Sequence, residues 1–156
     1  MEFVADFKKG EEVSVNCCRL SSDNGLIATG GEDCLVRVFK LDAANGFKVN
    51  TGEETKAIMT LEGHCDPVNC VDFSSDSKLL VSSSTDRSCI IFNVDTTSKF
   101  KGQRLHKLTF SDGLNDTKNM LMRGCFFSKD CNSVYTLATH TKQKSYLIQW
   151  QNASGF

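Results

Sequence analysis

Net charge, long apolar runs, helical periodicity and proline are all scarce in this 156-residue chain. Its 18 basic and 19 acidic side chains leave a net charge of -1, so no overall field draws it to nucleic acid or to anionic lipid. No apolar run approaches the roughly 18 residues that a membrane-spanning helix needs. The opening MEFVADFKKGEEVSVNCCRL lacks the charged-then-apolar build of a signal peptide. No stretch holds a helical period for several turns, which argues against a helical domain. Pro67 is the single proline, and the β-branched content is high, so the apolar runs are free to form strands.

Cysteine, by contrast, is plentiful. Cys17 and Cys18 are adjacent, Cys65 and Cys70 lie five positions apart, Cys125 and Cys131 six, and no C-x-x-C pair accompanies a histidine pair. That spacing argues against a zinc site. Cys17, Cys70, Cys89 and Cys125 fall among apolar residues, where a free thiol behaves as a small hydrophobe. The expectation is reduced core cysteine and a cytosol-facing compartment.

The main feature is a repeat. VNCCRLSSDNGLIATGGEDCLVRVFK, residues 15–40, returns at 68–93 as VNCVDFSSDSKLLVSSSTDRSCIIFN with no insertion or deletion. Val, Asn and Cys at the start, the Ser-Ser-Asp at 21–23 and 74–76, Leu26/Leu79, Asp33/Asp86 and Phe39/Phe92 are identical. A looser third copy, MRGCFFSKDCNSVYTLATHTKQKSYLIQWQ, needs four extra residues before Trp150 falls opposite Phe92.

Each copy holds three short apolar or alternating runs separated by turn residues, and TKAIMTL at 55–61 and LHKLTF at 105–110 supply a fourth run after the first two. Four strands recurring every ~50 residues predict the blades of a β-propeller. The expected architecture is all-β, an open arc of about three four-stranded blades. Residues 1–10 would be the outer strand of a preceding blade, 11–62 the first blade, 63–111 the second, and 112–156 an incomplete third. Propellers close with roughly 4 to 8 blades and need neighbours to bury their faces, so the expectation is a fragment of a longer chain.

LEGHCDPVNCVDFSSDSKLLVSSSTDRSCIIFN resembles the WD-repeat family. Gly63-His64 stands as the Gly-His pair, Asp86 as the turn aspartate and Ser82 as the strand hydroxyl, while Phe92-Asn93 replaces the terminal Trp-Asp. The resemblance implies a buried hydrogen-bonded chain of His, Asp, Ser/Thr and Trp, here shortened to His64, Asp86 and Ser82. The first copy keeps Thr29 and Asp33 without the Gly-His, and the third keeps Thr136 and Trp150 without the aspartate.

The order EFVADF, then NGLIATGGEDCLVRVFKL, then LEGH, then RGCFFSKDCNSVYTLATHTKQKSYLIQW resembles the endoplasmic-reticulum guanine nucleotide exchange factors that load the small GTPase of the COPII coat. That likeness implies a cytosolic propeller anchored by one transmembrane helix, with the GTPase as partner and no small-molecule substrate. It also implies a glycine-rich, potassium-binding loop in a first blade. That loop would precede residue 1 and the helix would follow residue 156, so no cofactor or membrane contact is expected of this segment.

Sharper chemical readings compete with these. His64, Asp86 and Ser82 are the residue types of a hydrolase triad, but their place in a repeat favours architecture. Cys65 beside His64 cannot form a thiol-protease pair, because adjacent turn residues rarely face one another. The stretch ATHTKQKS, 138–145, predicts an enlarged basic loop, in which His140, Lys142 and Lys144 could meet an acidic partner surface; it carries no aromatic residue for stacking on nucleic acid. Asn115 and Asn152 sit in glycosylation sequons that a cytosolic face would leave unmodified.

Overall fold

The computed structural model describes residues 13–41, 56–109, 120–140, 144–151 and 156. These form strands β1 (Val15–Leu20), β2 (Leu26–Gly31), β3 (Val36–Lys40), β4 (Met59–Leu61), β5 (Val68–Phe73), β6 (Leu79–Ser84), β7 (Ser88–Asn93), β8 (Arg104–Thr109), β9 (Met120–Phe127), β10 (Ser133–His140) and β11 (Lys144–Gln151), with no helix among the described residues. They build three antiparallel meanders, β1-β2-β3-β4, β5-β6-β7-β8 and β9-β10-β11. The expected strand at 2–7 lies outside the described residues, as do Lys142 and the sequon residues Asn115 and Asn152.

The repeated Ser-x-Asp explains the first turn of every sheet. In the second sheet the Ser74 hydroxyl donates to Asp76 (2.6 Å) and accepts the Leu79 amide (2.9 Å), while the Asp76 carboxylate accepts the Lys78 amide (3.1 Å). Ser21 with Asp23, and Ser128 with Asp130, repeat the arrangement. Each turn passes through a left-handed residue, Asn24, Ser77 or Cys131, at φ of 58 to 60°. Such a conformation costs a non-glycine residue roughly 1–2 kcal/mol, and the side-chain hydrogen bonds offset it.

Central strands face apolar neighbours on both sides. Along β6, Leu80 points with Ser82 toward the first sheet, and Val81 with Ser83 toward the third. One core joins Ala28, Val36, Val38 and Leu61 to Val68, Leu80, Ile90 and Phe92; the other joins Val81, Cys89 and Ile91 to Met122, Cys125, Val134 and Ala138. Inner strands β1, β5 and β9 lie side by side. The repeated asparagine ties them together: Asn16 Nδ2 donates to the Val68 carbonyl (3.1 Å), and Asn69 Nδ2 donates to the Met122 carbonyl (2.7 Å) and to Thr85 Oγ1 (3.1 Å).

The third sheet corrects the expected basic loop at 138–145. β10 runs to His140 and β11 begins at Lys144, with those two residues opposite one another and Ala138 opposite Tyr146. β10 and β11 each have eight residues where β6 and β7 have six, so the four extra residues lengthen both strands by two. The physical cause is burial: Ala138 is fully buried and Tyr146 packs against the second core, which holds this stretch in extended pairing.

Candidate functional site

The structure brings His64, Ser82 and Asp86 together. His64 lies in the connection from β4 to β5, Ser82 on β6 and Asp86 in the turn from β6 to β7. The Nδ1–H of His64 donates to Asp86 Oδ2 at 3.0 Å, and Nε2 meets Ser82 Oγ at 2.7 Å. Asp86 also accepts the Cys65 amide (3.1 Å), the Ser88 amide (2.9 Å) and the Ser88 hydroxyl (2.6 Å). Burial pushes the Asp86 carboxyl upward, but hydrogen bonds from His64, Ser88 and Cys65 and the charge interaction with His64 outweigh it and hold the carboxyl well below the usual carboxylate range.

The order of contacts, hydroxyl to Nε2 and Nδ1 to carboxylate, is that of a serine hydrolase. Access decides against that chemistry: Ser82 is 0% exposed and the His64 side chain 1%. The Ser82 hydroxyl sits on a central strand between packed sheets, where no scissile carbonyl can approach it. The trio instead pins the β4–β5 connection onto the turn between β6 and β7, and Ser84 Oγ extends the tie by donating to the Asp66 carbonyl (2.8 Å).

The other sheets carry parts of the same scheme. On the third, Trp150 Nε1 donates to Thr136 Oγ1 (2.9 Å), with Trp150 and Val134 paired as Phe92 and Leu80 are. On the first, which has no histidine, the guanidinium of buried Arg37 donates to Asp33 (2.5 Å). Arg37 escapes a sequence reading because its counterpart, Ile90, is apolar. The one available signal is an acid four residues before a base around a tight turn. Arg19, which spans sheets to reach Asp72 (2.9 Å), is equally silent in the sequence.

Of the residues expected to contact a partner, Lys144 is exposed and His140 partly so, facing each other across the end of the third hairpin. They stand at the tip of a paired ribbon, where strand pairing fixes their spacing.

The WD domain, G-beta repeat family model matches residues 2–40 and 55–93, half of the chain. The chain belongs to this family. The second match contains β4 of one sheet together with β5, β6 and β7 of the next, so the repeat in sequence straddles two sheets in space. Among similar curated proteins, human WD repeat, SAM and U-box domain-containing protein 1 is 34% identical over 57% of this chain and 20% of its own length. Retinoblastoma-binding protein homolog 5 of Caenorhabditis elegans is 28% identical over 65% of this chain and 19% of its own. The chain thus spans about a fifth of the length of these relatives. The solved structure of U3-55K superposes with a TM-score of 0.61 at 17% identity, covering 94% of this chain and 42% of that one, a likeness of fold.

Proposed function

We propose that this WD-repeat chain acts by binding protein partners, and that it does so as part of a guanine nucleotide exchange factor for the small GTPase that initiates COPII coat assembly. The observation that carries partner binding is the lengthened third hairpin, which presents His140 and Lys144 at a fixed spacing above the packed sheets. Side chains held on paired strands of a rigid scaffold lose little freedom on binding. Support for the finer reading comes from the order of elements, which resembles that of the prolactin regulatory element-binding protein. On that reading the chain works at the cytosolic face of the endoplasmic reticulum in ER-to-Golgi transport. The regulator makes and breaks no covalent bond: a surface that prefers the nucleotide-free GTPase weakens nucleotide affinity by the same factor, through linkage.

Nucleotide release from the coat GTPase, measured with the full-length chain, tests this. Accelerated release supports exchange, and a rate equal to that of the GTPase alone removes it. The combined His140→Ala/Lys144→Ala variant should then weaken GTPase capture while its unfolding curve stays in place.

A second reading, a scaffold that joins proteins without altering nucleotide exchange, draws on the relatives. One relative is named as a homolog of a retinoblastoma-binding protein, and the similar fission-yeast Taf5 is named as a subunit of the SAGA and TFIID complexes. Stable partner capture with no effect on nucleotide release would favour it.

A further inference from the structure

The repeat places equivalent residues opposite each other at both sheet interfaces. Cys17 on β1 pairs within its sheet with Gly30, and Cys70 on β5 pairs with Ser83, the same rung one repeat later. Val71 pairs with Ser82 and Cys125 with Thr136, again the same rung. Between the first two sheets, this register sets Cys17 against Val71. Between the second and third, the same register sets Cys70 against Cys125. Each sulfur lies within hydrogen-bond reach of the other's backbone, Cys70 Sγ 3.6 Å from the Cys125 carbonyl and Cys125 Sγ 3.5 Å from the Cys70 carbonyl, with the Val81 carbonyl also 3.6 Å from Cys125 Sγ.

We propose that Cys70 and Cys125 are a peroxide-sensitive dithiol, which closes to a disulfide joining β5 to β9. All eight cysteines are free thiols in the structure, and three further observations single out this pair. Cys70 and Cys125 both line a cleft of about 500 Å³, which Cys17 and Cys18 also border, with Cys70 the half-buried and Cys125 the buried member of the pair. The hydrogen bond from the Cys125 thiol holds Cys70 below the ordinary thiol range against the opposing pull of burial, while burial pushes Cys125 well above it. Finally, the fully buried Ser83 hydroxyl, opposite Cys70 in the pairing of β5 with β6, has no hydrogen-bond partner among the described residues.

The chemistry balances in two steps. The Cys70 thiolate attacks one oxygen of hydrogen peroxide; the O–O bond breaks, hydroxide leaves, and Cys70 becomes a sulfenic acid. The Cys125 sulfur then attacks the Cys70 sulfur; the S–O bond breaks, and the hydroxyl leaves as water with the Cys125 proton. Peroxide is reduced by two electrons, one from each sulfur. Linking β5 to β9 fixes the second and third sheets at their inner edge.

The test treats the full chain with hydrogen peroxide, alkylates remaining thiols under denaturing conditions and maps peptides by mass spectrometry. The expected result is a peptide pair linked through Cys70 and Cys125, with the other six thiols alkylated. In Cys125→Ser, dimedone should trap a sulfenic acid at Cys70; in Cys70→Ser, Cys125 should stay reduced. Val71→Cys gives the first interface the same two-thiol geometry and should yield a second link, to Cys17. Because the unmodified chain is mapped directly, the result does not depend on any variant folding. The proposal fails if Cys70 stays reduced at peroxide levels that oxidise the exposed Cys18 or Cys65, or if Cys70 pairs with Cys17.

Discussion

Trp150 on β11 donates its indole proton to Thr136 on β10, at the positions that Phe92 and Ser82 occupy in the second sheet. The second sheet holds the histidine, aspartate and hydroxyl of the polar chain, and the third holds the hydroxyl and indole. Neither needs the other's half, because each hydroxyl has a side-chain partner of its own: His64 for Ser82 and Trp150 for Thr136.

The Trp150–Thr136 bond should show non-additive energetics. Trp150→Phe leaves the fully buried Thr136 hydroxyl without its donor, at a cost of about 1–3 kcal/mol. Thr136→Val should cost a similar amount, and the double variant little more than either alone. Urea denaturation of the four species measures the cycle; simply additive losses would show that packing, and not the bond, dominates.

Asp86 gives stability a defined acid limb. Its carboxyl is depressed in the folded protein, so its contribution is complete above the unfolded-state value near 3.9 and is lost as pH falls from there toward the lower folded value. Asp86→Asn, which removes a carboxylate that accepts four hydrogen bonds, should cost about 1.5–3 kcal/mol near neutrality. The gap between the unmodified chain and the variant should narrow as pH drops below about 4. Unfolding followed from pH 7 to pH 2 checks this, and subtraction removes the other carboxylates, which both proteins share.

Asn16 and Asn69 should contribute unequally. Asn16→Ala removes one bond between sheets, whereas Asn69→Ala removes two bonds, one of them between sheets. At about 1 kcal/mol per bond, the second loss should be roughly double the first, and because both ties meet at the Val68–Asn69 peptide the double variant should depart from simple addition. Chemical denaturation reads both.

Arg37 should be more valuable than an ordinary surface arginine. Arg37→Met strands the Asp33 carboxylate in a half-buried turn, at a cost of about 3 kcal/mol or more. Adding Asp33→Asn should recover part of that loss, because it removes the unpaired charge. Midpoints of thermal unfolding for the two variants decide the point.

The fold was legible because turn chemistry and strand period repeat together. Ser-x-Asp at 21–23, 74–76 and 128–130 marks three equivalent turns, and β5 spans the residues its alternation predicts, 68–73. Less was legible wherever a side chain acts across sheets. Nothing local to Asn69 points to the Met122 carbonyl, and nothing near Cys70 points to Cys125, since both contacts depend on how far one sheet is rotated against the next. The basic stretch at 138–145 misled for the opposite reason. Its polar residues look like a loop, while Ala138 and Tyr146, packed into the second core, keep it paired.

The two asparagine ties meet at a single peptide unit. Asn16 of β1 grips the carbonyl of Val68, and the residue bonded to that carbonyl, Asn69, grips β9. A load that tends to slide the first sheet past the second is delivered to the same link from which the third is held. The sheets therefore resist shear as members in series, and the two hydrogen bonds on either side of the Val68–Asn69 peptide give way before the covalent link between them.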